Sequence, residues 1–156
     1  MDELERIEDQ LKRAHEGVAW HGPHLQELLS GIKAEQALAK PIANTHSIWE
    51  IVYHIATWEN VVRLRLIGET PEVPDEENFP TIADKSEEAW QETLTRLGTA
   101  NRQLRQAVLS ADENRLNDPI MSMEGMPTTY RTLHGAVEHT LYHAGQIALI
   151  KNALFS

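Results

Sequence analysis

Two histidines four residues apart, His139 and His143, stand in the run Glu138-His139-Thr140-Leu141-Tyr142-His143-Ala144-Gly145-Gln146-Ile147. On a helix they share one face, about 40° apart around the axis. Leu133, Ala136, Thr140, Ile147, Ile150 and Leu154 follow the three-then-four spacing of a buried stripe, and His143 takes a step of that series. Both rings are therefore expected to face the core. A buried imidazole needs a hydrogen-bond partner, a counter-charge or a metal ion. Two imidazoles leave a divalent ion short of ligands, and zinc sites that do chemistry carry three protein ligands and an open position.

The third ligand should come from another helix facing the same core. His54 is the best placed, on the flank of an apolar stripe and one turn from Trp58. His21 also falls on an apolar stripe, but its direction after Gly22-Pro23 is open. His134 lies about 180° around the helix from His143 and should be solvated. His15, His24 and His46 have no case beyond their residue type. The competing reading is a pair of hydrogen-bonded core histidines with no metal. Glu59 lies about 140° around its helix from His54, so an ion pair elsewhere suits it better than the same ion. Gln146 and Trp58 are the candidates for contacting a substrate or a metal-bound water, with a structural hydrogen bond as the alternative for Gln146.

Other chemistries lack their signatures. There is no His-Glu-x-x-His, no Glu-x-x-His of a di-iron carboxylate bundle, no Gly-x-Ser-x-Gly, no P-loop and no Rossmann glycine pattern.

The elements that must position these residues read as four amphipathic helices. The first spans about 2–32, with Leu4, Ile7, Leu11, Ala14, Val18, His21, Leu25, Leu28 and Ile32 on its stripe and a break expected at Gly22-Pro23. Residues 33–46 form a connection with room for one short helical turn. The second helix opens on Ser47 with Glu50 in the capping-box position and ends at Gly68. Residues 69–85 carry Pro71, Pro74 and Pro80 and read as a loop. Extended, such a loop reaches ~55 Å, whereas the helix before it spans ~33 Å. It can therefore cross the bundle and let helices two and three run parallel. The third helix spans about Ser86 to Ser110. A second long loop, 111–129, holds Met121, Met123 and Met126, read either as an adaptable apolar lid or as a cover for one bundle end. The fourth helix starts at Thr128 or Thr129 and ends near Leu154. With no strand pattern and no repeat, the expected fold is an all-α four-helix bundle forming one domain over 1–156.

Composition narrows the partners. The 156 residues carry 24 acidic and 14 basic side chains, a net charge of −10, which disfavours nucleic acid and anionic membrane. There is no cysteine, so no disulfide, cysteine ligand or protein thiol nucleophile. The acidic start and the lack of a ~20-residue apolar run argue against a signal peptide or a membrane span. A cytoplasmic protein is expected. Eight histidines is a high count for this length.

Ala19-Trp20-His21-Gly22-Pro23, His46-Ser47-Ile48-Trp49-Glu50-Ile51-Val52-Tyr53-His54, Trp58-Glu59 and the His139 to Ile147 run resemble the DinB/YfiT-like superfamily over essentially the whole chain. That resemblance implies an up-down-down-up bundle with a long crossover between helices two and three. It also implies one divalent ion, nickel or zinc in many members, held by three histidines; iron or manganese are the alternatives here. By position these are His54, His139 and His143. His24 departs from the small polar residue the family pattern places after Gly22-Pro23. Relatives include thiol-dependent S-transferases and a mycothiol-dependent isomerase, and members often pair as homodimers. The expected activity is thiol-dependent transfer to a small electrophilic substrate, using a low-molecular-weight thiol. The alternatives are a metal-dependent hydrolase and a non-catalytic metal-binding or stress-response bundle.

Overall fold

The computed structural model describes residues 1–156 and is all-helical, with one isolated bridge between Pro119 and Thr128. The helices are α1 (Glu3–His15), α2 (Leu25–Leu29), α3 (Ala34–Leu38), α4 (Ile48–Leu66), α5 (Asp75–Asn78), α6 (Glu87–Leu109) and α7 (Thr129–Phe155). Seven helices thus stand where four were expected. Four are long, and the short ones lie in the connections. No helix is long and apolar enough to cross a membrane.

The helix that begins the site is capped as its sequence dictates. Ser47 Oγ accepts from Glu50 N at 3.2 Å, and Glu50 Oε2 accepts from Ser47 N at 2.6 Å. These bonds satisfy amides that the first turn leaves without partners. Ser86 and Thr128 cap α6 and α7 with the first of these bonds only, their hydroxyls accepting from Ala89 N and Arg131 N.

The expected first helix is corrected. It stops at His15, and Gly17 turns the chain out at φ 87°, where glycine is favoured. Arg13 donates to Val18 O at 2.7 Å and ties the turn back. Helix resumes only at Leu25, so Val18, Trp20 and His21 project from a loop and are exposed. His24 is the N-cap of α2: its Nδ1 accepts from Glu27 N at 3.3 Å. An imidazole thus does what a small polar cap would do.

Along α4 and α6 the contacts advance together. Trp49 Nε1 donates to Thr93 Oγ1, Arg96 donates to Tyr53 Oη, and Asn101 Nδ2 donates to Glu59 Oε1. The core has two apolar parts. One gathers Leu25, Trp49, Ile55, Trp90, Leu97 and Ile147; the other gathers Ile7, Leu11, Val62, Leu104, Val108 and Leu133. Burying one such side chain is worth about 1.5–3 kcal/mol. Between the two parts runs a polar layer to which each long helix contributes: His15, His54, Glu59, Asn101, Thr140 and His143, all buried, with His139 half-buried beside them.

Candidate metal centre

His54 comes from α4, and His139 and His143 from α7. One ring nitrogen from each lies within 4.8 Å of the other two, so the three could hold a metal ion. All three rings turn Nε2 inward. His139 Nε2 is 3.0 Å from His54 Nε2 and 3.2 Å from His143 Nε2.

Two of the tautomers are set from outside. His54 Nδ1 is 2.8 Å from Asn78 O, and a carbonyl can only accept, so Nδ1 carries the proton. His143 Nδ1 donates to Gln146 Oε1 at 2.6 Å. In the neutral rings both Nε2 atoms therefore present lone pairs to one point. Protons do not suit that point. Burial pulls the pKa of His54 below its ordinary value, against the opposing pull of Asn78 O. Burial also lowers His143. His139 is lowered to about 4, by burial first and then by its two imidazole neighbours. The cluster disfavours protons and turns two fixed lone pairs and the Nε2 of His139 toward one point, an arrangement that a Lewis acid would satisfy. The spacing suits one ion: the donor nitrogens of all three rings lie within 4.8 Å of one another, with two of the pairs at 3.0 and 3.2 Å.

The connection between α4 and α6 folds back over the histidines. Phe79 stacks on His54 with ring centroids 4.0 Å apart and on His46 at 3.7 Å. Asn78 Oδ1 accepts from Trp58 Nε1 at 2.9 Å. Trp58 in turn sets its ring edge-on to His54 and His139. Gln146 thus touches His143, and Trp58 touches Asn78 and the rings of His54 and His139. The 111–129 loop does not. Met121 sits with Leu66 and Ile67 at the far end of α4, twelve residues and roughly 18 Å along the helix from His54. Met121 lies at that bundle end, away from the histidines.

The other histidines divide clearly. His21 is exposed, and His134 is half-exposed, with Tyr130 against its ring and Glu3 3.7 Å from its Nε2. His15 was missed by sequence reasoning: it is buried and meets Glu59 Oε1 at 2.7 Å. Glu59 does pair away from the cluster, as its helical angle required. His46 was missed too, as the outer ring of the Phe79 stack. No local pattern marks either residue, because their partners lie far along the chain.

The family model described as the DinB superfamily matches residues 19–147. The fold is similar to a solved structure titled the conserved protein of locus from Enterococcus faecalis, with a TM-score of 0.75 and 18% identity over 99% of this chain and 98% of that one. No curated protein matches.

Proposed function

The chain belongs to the DinB superfamily, and from that premise we propose that it is a divalent-metal-binding enzyme that joins a low-molecular-weight thiol to a small electrophile. One observation carries the metal: His139 Nε2 lies 3.0 Å from His54 Nε2 and 3.2 Å from His143 Nε2, while Asn78 O and Gln146 Oε1 hold the opposite nitrogens of His54 and His143 protonated. Neutral imidazoles suit zinc or nickel, and iron or manganese would also accept them. Bound there, such an ion supplies Lewis acidity that eases loss of a proton from a thiol or water. The chain's own part is to orient the rings through Asn78 and Gln146 and to shield His54 with Phe79. With no cysteine in the chain, the sulfur nucleophile must arrive as a small molecule. In the reaction the thiol releases its proton to solvent, its sulfur bonds to the electrophilic carbon, and the leaving group departs with its bonding pair.

The framework of this reading is one DinB-like domain over 1–156 in which α1, α4, α6 and α7 form an up-down-down-up four-helix bundle. The contacts that advance together along α4 and α6 support it, and residues 67–86 then make the crossover. The acidic, cysteine-free chain suits the cytoplasm, where the thiol pool is reduced.

The test incubates protein loaded with zinc or nickel with bacillithiol, mycothiol, glutathione or coenzyme A and monochlorobimane. Conjugation above the uncatalysed rate is expected, and it should disappear in His54→Ala and His139→Ala. Background rates with every thiol, together with metal-dependent cleavage of esters, amides or lactones, would replace transfer by hydrolysis. A fully occupied site with neither activity would make it a non-catalytic metal-binding protein.

A further inference from the structure

Three arginines are half-buried: Arg63, Arg65 and Arg105. Arg63 donates to Asn60 Oδ1, and Arg105 donates to Glu8 and Glu16. Arg65, on α4, has no such partner. Its Nε is closed off from solvent without an acceptor, and none of the chain's ion pairs includes it. With 24 acidic residues in the chain, no carboxylate is set against this cation. Its guanidinium lies over the Trp58 ring, with Cζ 5.8 Å from the centroid. A ring face attracts the charge, yet it leaves the N–H donors without an acceptor oxygen. Unlike Nε, the terminal Nη1 and Nη2 are open to solvent, so a ligand can reach them.

Trp58 also walls a cleft of about 180 Å³ between α4 and α7, with Val62, Gly135 and Ala136 beside it. On α7 the cleft extends from His139 to Thr132. Contacts between the two helices run in opposite directions: His54 meets His139 and His143, whereas Leu66 shares a pocket with Thr129. Arg65, one turn past Val62, therefore belongs to the Thr132 end. Helix side chains lean toward the N-terminus, which brings its guanidinium back over Trp58. The Trp58 ring is 6.4 Å from the His139 ring. One indole thus joins the unpaired cation, the apolar cleft and the histidine cluster.

We propose that this cleft binds a small molecule with an apolar body and one carboxylate, the carboxylate on the terminal nitrogens of Arg65 and the opposite end toward His139. A planar carboxylate matches the guanidinium fork with two parallel hydrogen bonds. The proposal deepens the functional reading above by giving the class of its electrophilic substrate, and it rests on that reading for the role of the histidines. The preference for a negative charge rests on Arg65 alone, which makes Arg65 a specificity-determining residue.

The test titrates ¹⁵N-labelled protein, zinc-loaded and chelator-treated, with hexanoate and hexanamide near neutral pH. Shifts at the Trp58 indole and the Gly135 amide report occupancy. Hexanoate should bind at least about tenfold tighter than hexanamide in both forms, because the amide forfeits hydrogen bonds between charged groups. Arg65→Gln should remove that ratio, and Arg65→Lys should restore part of it. A Cβ at Gly135 meets nothing within 4 Å, so Gly135→Leu has room to fill the cleft, and hexanoate should weaken although Arg65 is intact. Equal affinity for the two ligands in the native chain overturns the proposal, as does unchanged hexanoate affinity in Gly135→Leu. An Arg65→Gln variant that melts earlier with an unchanged ligand ratio also overturns it, since that is the behaviour of a cation that only packs on Trp58. Hexanoate preference seen only in the zinc-loaded form would put the carboxylate on the metal, ending the Arg65 proposal and keeping the metal reading. Preference that persists while zinc fails to bind would uphold the cleft and remove the metal reading.

Discussion

At the scale of single residues, the histidines separate by what their second nitrogen meets. His143 has Nδ1 on Gln146 and Nε2 on the common point, whereas the Nε2 of His134 reaches only Glu3, at 3.7 Å. His143→Ala should therefore abolish most binding of one divalent ion per chain, and His134→Ala should leave it intact. Elemental analysis of protein purified without a nickel column measures both; equal losses would remove the assignment. The lowered pKa values also set a pH dependence for the metal-free fold. The folded His139 titrates at about 4, whereas an unfolded histidine titrates near 6.5. Below 6.5 the unfolded chain binds more protons, so stability falls with falling pH. His54 and His143 shift the same way and add to the effect. This contribution is whole above pH 6.5 and is lost as the pH drops toward 4. Melting temperatures taken in chelator should fall by several degrees over that window, and His139→Asn should flatten the slope. A melting temperature that rises toward pH 4 would contradict the sign.

At the scale of elements, the site depends on a connection more than on its helices. α4 and α7 supply the ligands, but α5 and the residue after it supply the carbonyl on His54, the amide on Trp58 and the ring on His54. Groups behind a metal ligand tune affinity by about 10–100-fold. Phe79→Ala should thus weaken zinc binding by roughly tenfold or more. Its effect on the melting point of the metal-free protein should be small, because Phe79 is only partly buried at the edge of the core. A competition titration with a chromogenic chelator reads the first effect and calorimetry the second. Unchanged zinc affinity would reduce the Phe79 stack to a surface contact.

At the scale of the whole molecule, a polar layer divides the core, and the outer side of α7 carries two exposed large apolar side chains. Tyr142 and Leu149, two turns apart, are 66% and 65% exposed. Exposed apolar side chains on one helix face suit a second copy of the chain. The expected state is a homodimer, read by light scattering at micromolar concentration, and Leu149→Glu should shift it to monomer. A native chain that scatters as monomer alone would end the idea.

What the sequence determined by itself is what short-range physics controls. Ser47 and Glu50 announce the start of α4, Ser86 that of α6 and Thr128 that of α7, because a cap bonds amides only two or three residues away. The facing of His54, His139 and His143 followed from helical periodicity alone. The same periodicity misled between His15 and Leu25. Apolar spacing at Ala14, Val18, His21 and Leu25 continued through a segment that Gly17 turns out of the helix, and periodicity does not register where the chain leaves an axis. Tertiary structure alone decided that His15 meets Glu59 across 44 positions, that Asn78 returns 24 positions to His54, and that the methionine loop packs at the far end of the bundle. Those contacts join segments whose approach is set by packing of the four long helices, and no local spacing encodes which loop then falls over which face.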